Sequence, residues 1–239
     1  MDKTIGVFSF GRRQSQRCPD KLLRPFADTT LARIMLTKLA ELGSDTFFAG
    51  HEDEFRAEAE AAGVTFVRRD RRSVSIDEPI LDILSFLRDV DYDYLLWVNP
   101  CLPLLETQTI RAFLDDCIKA NCRPTFPILR RKTHFLREDL SAVNFDATVK
   151  TLNTKMLEPI LEMVHAFYFY DRRYFLDNGA YWAWDNARVV ELAVDQSQFF
   201  DIDEEHEFAH AERMWKIKQG MSTEIGRVDI VVEPSQRLP

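Results

Sequence analysis

The chain has 239 residues, 46% hydrophobic and 29% charged, a balance that excludes wholesale disorder and suits one large α/β unit spanning residues 1–239. With 31 basic against 39 acidic residues the net charge is −8, which disfavours a broad nucleic-acid-binding face but leaves room for a small basic pocket. No apolar stretch approaches the roughly 20 residues that span a bilayer, and the first apolar run is too short for a signal-peptide core. A cytoplasmic protein with no membrane partner is therefore expected. The four cysteines, Cys18, Cys101, Cys117 and Cys122, form no Cys-x-x-Cys pair and are expected as reduced thiols.

Ile5 to Phe10 is a short apolar run of the kind that makes a buried parallel strand. A basic loop follows, from Gly11 to Arg24. Leu31, Ile34, Met35, Leu39 and Leu42 then fall on one helical face, with Thr29 or Thr30 as cap and Gly43 as stop. The alternation continues with a strand over Thr46–Ala49, a helix over Glu52–Ala62 and a strand over Val64–Val67. A helix starting near Glu78-Pro79 buries Ile80, Ile83, Leu84 and Leu87. Tyr94–Val98 is the most hydrophobic strand candidate and is expected at the centre of the sheet. A helix over Thr107–Ala120 follows, then strands over Pro124–Leu129 and Ala166–Tyr170. Between those two strands, Lys132 to Glu162 has weak periodicity and reads as an excursion towards a partner subunit. Phe208, Ala211, Met214, Trp215 and Ile217 share the face of a last helix, which Gly220 ends. This order predicts a mostly parallel sheet with helices on both faces. Its ligand site is expected outside the carboxyl ends of the strands, among the loops after Phe10, Val67 and Val98.

Three constellations could carry chemistry. The loop from Gly11 to Lys21 holds Arg12, Arg13, Arg17 and Lys21, with the Ser15 hydroxyl among them. Arginine forks match phosphate oxygens and lysine adds a point charge. The loop is either a phosphate cradle or a solvated charge run. Asp201-Ile202-Asp203 places two carboxylates on one side of an extended segment, a hard oxygen site suited to Mg²⁺. The same residues also read as a helix start, with Asp203 as cap and Glu204 and Glu205 in the first turn. Trp97 to Leu105, which includes Asn99-Pro100-Cys101, is either a ligand loop or a rigid strand end with two prolines.

These segments resemble the acylneuraminate (sialic-acid-type) cytidylyltransferase family. The spacing Arg12-x-x-Ser15-x-x-x-Pro19-x-Lys21-x-Leu23 resembles its N-terminal signature. Arg13-Gln14 stands where the family often has a small pair, and Gln16 where a lysine commonly follows the serine. The twelve residues from Asp201 to Glu212 resemble its C-terminal signature. Trp97–Leu105 resembles its segment after the central strand, with Asn99 and Cys101 in place of a glutamine and a threonine. Arg68-Arg69 through Asp77, and Asn153–Ile160 followed by Ala166-Phe167-Tyr168, are weaker matches, with His165 in place of a glycine.

The resemblance implies a Rossmann-like nucleotidyltransferase (GT-A-like) fold and transfer of CMP from CTP to a 2-keto-3-deoxy sugar acid, releasing pyrophosphate. It assigns Phe10, Gly11, Arg12, Ser15, Arg17, Lys21, Arg68 and Asp77 to the nucleotide, Asp201 and Asp203 to Mg²⁺, and Asn99, Cys101, Lys155 and His165 to the sugar. Arg12, Lys21 and Asp203 are the residues implied in catalysis, Lys155 or Arg130 the cation for the sugar carboxylate, and 132–162 the contact of a homodimer. Competing readings are a nucleotidyltransferase for another base or sugar, a non-catalytic nucleotide-binding homologue in a glycan-synthesis assembly, and a glycosyltransferase on a similar sheet.

Overall fold

The structure, a computed structural model, describes residues 3–221. Its strands are β1 (Ile5–Phe10), β2 (Thr46–Gly50), β3 (Thr65–Arg68), β4 (Tyr94–Val98), β5 (Thr125–Arg131), β6 (Ile160–Met163), β7 (Phe167–Asp171) and β8 (Arg188–Glu191). They form one sheet in the order β3-β2-β1-β4-β7-β5-β6, with β8 also paired to β5. β1 runs parallel to β2 and β4, and β3 parallel to β2, whereas β7 and β6 enter antiparallel. The α/β architecture expected from the alternation is therefore present, with an antiparallel extension on one side. The sheet order reverses at β1, whose neighbours β2 and β4 lie on opposite sides. Loops leaving the carboxyl ends of β1 and β4 diverge there and open a crevice.

Successive strand residues feed two separate cores, as side-chain alternation requires. Val7, Phe48, Leu96, Val98, Phe167 and Phe169 face one side, where they pack with α1 (Leu31–Leu42), α2 (Asp53–Ala61), α5 (Thr107–Lys119) and α7 (Glu205–Lys218). Phe8, Phe47, Leu95, Trp97, Tyr168 and Tyr170 face the other, against Leu84, Phe86, Leu87 and α6 (Arg172–Asn178). Fully burying such side chains contributes about 2 kcal/mol each.

Local signals set the helix ends. Thr30 Oγ1 accepts from the Arg33 amide at 3.1 Å and starts α1. The long helix expected from Glu78 is instead α4 (Ile80–Ile83) followed by a tight turn, Ser85–Arg88. The Ile83 carbonyl accepts from Arg69 Nη2 at 3.1 Å and Ser73 Oγ at 2.6 Å, so other groups satisfy the oxygen at which the helix would continue. A short helix absent from the sequence reading, α3 (Arg71–Ser75), supplies Ser73 and is capped by Asp70. β6 and β8 were not expected either. At the C-terminal helix, Phe208 and Ala211 are buried as read, but Ile217 is 64% exposed. All four cysteines are free and buried, and no helix among the described residues is long and apolar enough to cross a membrane.

Candidate active site

The crevice at β1 and β4 is a cleft of about 630 Å³. Its floor is set by Gly11, whose amide extends the β1–β2 pairing by donating to the Ala49 carbonyl at 2.9 Å. A Cβ on Gly11 would meet Leu22 Cδ1 at 2.7 Å and the rings of Phe48 and Phe55 at 3.1 Å, so only glycine lets the loop turn this close to the core. Ser9 Oγ ties β1 to the Val98 carbonyl at 2.8 Å.

Beneath the loop lies Arg69, only 1% exposed, with no salt bridge among the described residues but with Glu52 and Asp70 near enough to favour its charge. Its guanidinium donates to the Gly11 carbonyl at 2.9 Å, to Ser73 Oγ and carbonyl, and to Ile83. It also lies 5.0 Å from the Phe10 ring centre. Burial, then repulsion by Arg12, lowers its pKa to about 10, so it stays charged at neutral pH. The Gly11, Ser73 and Ile83 carbonyls and the Ser73 hydroxyl, with Glu52 and Asp70 at longer range, offset the cost of desolvating it. Arg69 lines the cleft, whereas the expected Arg68 stands outside it, paired with Asp53 and the His51 carbonyl. Strand alternation explains the correction, since neighbours at a strand end point to opposite sides.

Phe10, Gly11, Arg12, Ser15, Arg17 and Lys21 all line the cleft, as does Asp77. Arg12 pairs with Asp77 at 2.5 Å and donates to the Ile76 carbonyl at 3.1 Å, joining the loop to an apolar wall of Ile76, Ile80 and Ile83. Arg17 and Lys21 lean on Asp203, at 2.9 and 3.4 Å. Burial opposes the charge of Lys21, but Cys101, Asp203 and Asp201 outweigh it and raise its pKa. Arg13 turns away to Asp20 and Glu54 and takes no part.

Across the cleft stand Asp201 and Asp203. Glu204 rather than Asp203 takes the cap position of α7, and Glu207 accepts from the Asp203 and Glu204 amides at 2.8 Å each. The Asp203 side chain is thus left for the cleft. Asn99 holds Asp201: its amide donates to Asp201 Oδ2 and to the His165 carbonyl, both at 2.8 Å, while its oxygen accepts from the Cys101 amide at 2.9 Å. Those bonds fix the Asn99 side chain, which also lines the cleft, against Asp201 and the chain before β7. Burial, with Asp203 second, pushes the Asp201 pKa up to about 6, and its buried Oδ1 has no hydrogen-bond partner. An orphaned carboxylate oxygen beside a second carboxylate fits a hard dication that takes its other ligands from phosphate and water. Among the described residues no group of three or more metal-ligating side chains converges on one point, so a metal here would depend on such outside ligands.

The far end of the cleft is aromatic. His165 Nδ1 lies 2.6 Å from the Tyr168 hydroxyl and its ring 4.7 Å from that of Trp97. Burial lowers the His165 pKa, with Asp203 opposing. Cys101 also lines the cleft, its thiol pushed up to about 12 by burial and therefore no nucleophile at neutral pH. Lys155 does not reach this place: it sits in an exposed turn, Thr154–Met156. Arg130 is paired with Glu191 on β8. The sequence shows Arg69 and Trp97 only as members of longer segments, with no role of their own, and does not single out Tyr181; the contact of Arg69 with the Phe10 ring emerges only when the chain after β3 folds over the end of β1.

Solved structures share this fold. A CMP:2-keto-3-deoxy-manno-octonic acid synthetase complexed with CTP aligns at a TM-score of 0.65 and 11% identity over 90% of this chain and 99% of that one. A cytidylyltransferase from Leptospira borgpetersenii serovar Hardjo-bovis (strain JB197) aligns at 0.56 and 16%, over 92% and 89%. A 4-diphosphocytidyl-2C-methyl-D-erythritol synthase from Anaerococcus prevotii DSM 20548 aligns at 0.57 and 11%, over 90% and 99%. No curated protein matches the sequence. Residues 10–175, from the end of β1 through α6 and thus most of the cleft, match the MobA-like NTP transferase domain, and the chain belongs to that nucleotidyltransferase family.

Proposed function

We propose that this protein transfers CMP from CTP to a 2-keto-3-deoxy sugar acid of the sialic-acid type and releases pyrophosphate. One observation carries the reading: four cations, Arg12, Arg17, Lys21 and Arg69, line one cleft together with Asp201 and Asp203. The fold shared with a synthetase that bound CTP supports the choice of base.

In this reading the base lies against Phe10 and the Ile76–Ile80 wall, and the triphosphate crosses the Gly11–Lys21 loop. Arg69 and Arg12 bind its oxygens, and Arg17 and Lys21 neutralise the charge that gathers on departing pyrophosphate. The anomeric hydroxyl attacks the α-phosphorus in line: its P–O bond forms and its proton leaves to solvent as the bond to the bridging oxygen breaks and pyrophosphate departs. Asp201 and Asp203 would hold Mg²⁺, which when bound supplies phosphate charge neutralisation and lowers the pKa of a coordinated hydroxyl. Asn99 keeps Asp201 in place, and His165 and Trp97 wall the acceptor side. The reading includes a homodimer through residues 132–162, supported by exposed Leu136, Leu152 and Met156 on that segment.

Pyrophosphate release from CTP, UTP, GTP and ATP with Mg²⁺ and a panel of nonulosonic and octulosonic acids tests the assignment. Turnover with CTP and one acid, lost in Asp203→Ala, is the expected result. Selective stabilisation or turnover by another nucleotide would overturn the cytidylyl assignment. CTP binding without turnover on any acceptor would favour the non-catalytic homologue. A different acceptor class is the second reading, favoured by the methylerythritol-type synthase among the structures of the same fold.

A further inference from the structure

A second cavity, of about 320 Å³, lies beside the first and shares two wall residues with it, His165 and Asp201. It is built from the carboxyl end of β5, the end of β6 and the turn Gln196–Phe199. Leu129 and Glu162 are register partners across β5 and β6, so Arg131, two residues on from Leu129, shares their face and lines the cavity with them. Arg131 Nε donates to Glu162, and its Nη1 donates to Gln196 Oε1 at 2.5 Å. Two of its five N–H donors are thereby fixed, and the others are left to a ligand.

The wall opposite is rigid. Gln198 is 6% exposed, and its Oε1 accepts from the Glu106 amide at 3.1 Å and Thr109 Oγ1 at 2.7 Å. Asp195 caps the same turn through Ser197. The cavity thus pairs a planar, forked cation with apolar Leu102, Met163 and Phe200, and its inner end opens on the Asp201–His165 pair. An acid bound there would reach the reacting phosphate with its other end.

We infer that this second cavity is the acceptor subsite, and that Arg131 selects a small polyhydroxylated carboxylic acid by clamping its carboxylate. The inference rests on the nucleotidyl-transfer reading for the meaning of the adjacent cleft. It replaces Lys155 and Arg130 as the carboxylate cation, because neither lines this cavity. Glu162 is a built-in competitor: an incoming carboxylate must share the guanidinium with it.

Ligand-observed NMR on the full chain with CTP and without Mg²⁺, so that the acid is not consumed, tests this, using N-acetylneuraminate and 2-keto-3-deoxy-octonate as probes, each beside its carboxamide. The wild type should bind an acid and discriminate against its amide. Arg131→Leu should weaken the acid about tenfold or more and abolish acid-over-amide preference, with stabilisation by CTP unchanged. Glu162→Gln should tighten the acid severalfold, an outcome that loss of a merely structural ion pair would not produce. Acid binding unchanged in Arg131→Leu, or weakened in Glu162→Gln, would overturn the inference. So would a wild type that binds CTP but neither acid, and that result leaves nucleotide binding standing. Arg131-dependent acid binding without any CTP binding would instead overturn the CTP reading and keep the subsite.

Discussion

The two halves of the sheet are built on different terms. From β3 to β4 every pairing is parallel, both faces are covered, and the crevice forms where loops leave the strand ends. From β7 to β6 the pairing turns antiparallel, connections are long or irregular, and although β7 is buried on both faces, β6 and β8 at the edge are largely exposed. Among the described residues, every exposed large hydrophobic except Ile118 lies beyond residue 131. The parallel half is a closed core with chemistry at its edge. The antiparallel half is an attachment whose apolar surface is left over for contact with something else.

That contrast can be broken by substitutions, and the largest effect is expected where both halves meet. Asp203→Ala should lower nucleotidyl transfer by a factor on the order of 10³, as loss of a charge-stabilising group does, while leaving thermal unfolding near the wild type. Steady-state pyrophosphate release and calorimetry check it, and a large drop in Tm would mean the residue is structural. Next comes Arg69→Met, which strips donors from the Gly11, Ser73 and Ile83 carbonyls. A loss of about 3 kcal/mol in urea unfolding is expected, since three buried acceptors lose a partner. Gly11→Ala should cost about 1–3 kcal/mol by overpacking Leu22 and Phe48. It should also weaken CTP stabilisation, because the loop must shift.

A pH effect belongs to the parallel half alone. Lys38 is 7% exposed and donates to the Leu102 and Pro103 carbonyls at 3.0 Å each. Burial, then Lys218, lowers its pKa to about 7, against the pull of Glu41 and Glu106. Between pH 7 and 10.5 the unfolded chain holds the proton that the folded chain has lost, so stability rises with pH through that window. Lys38→Met should flatten this slope relative to the wild type, by about 3 kcal/mol between pH 7 and 9.5. Thermal unfolding of both proteins at pH 7 and 9.5 reads the difference; equal slopes would sink the assignment. The smallest effect is expected on the attached half. Met156, 84% exposed, changed to Ser should alter unfolding by no more than about 0.5 kcal/mol, and a larger loss would show that face to be covered in the native protein.

Legibility in the sequence followed the same division. The parallel half reads well because strands buried on both faces are continuous apolar runs, and helices capped by Thr30 or ended by Gly63 announce themselves. β6 does not, since Leu161, Glu162 and Met163 are all exposed and no period survives. The phosphate loop and the Asp201/Asp203 pair were visible as spacing. Arg69 was not distinguishable from Arg68, because a four-residue strand carries no signal for which neighbour points inward. Arg131 was missed for a different reason: its relation to Gln196 spans 65 residues and exists only in three dimensions.

Asn99 gives the assembly its division of labour. One amide side chain, 4% exposed, joins the end of β4, the segment before β7 and the carboxylate ahead of α7. These bonds tie the cleft to three distant parts of the chain, and no residue from 132 to 159 lines either cavity. Sequence drift in that segment is therefore expected to leave the shape of the cleft unchanged.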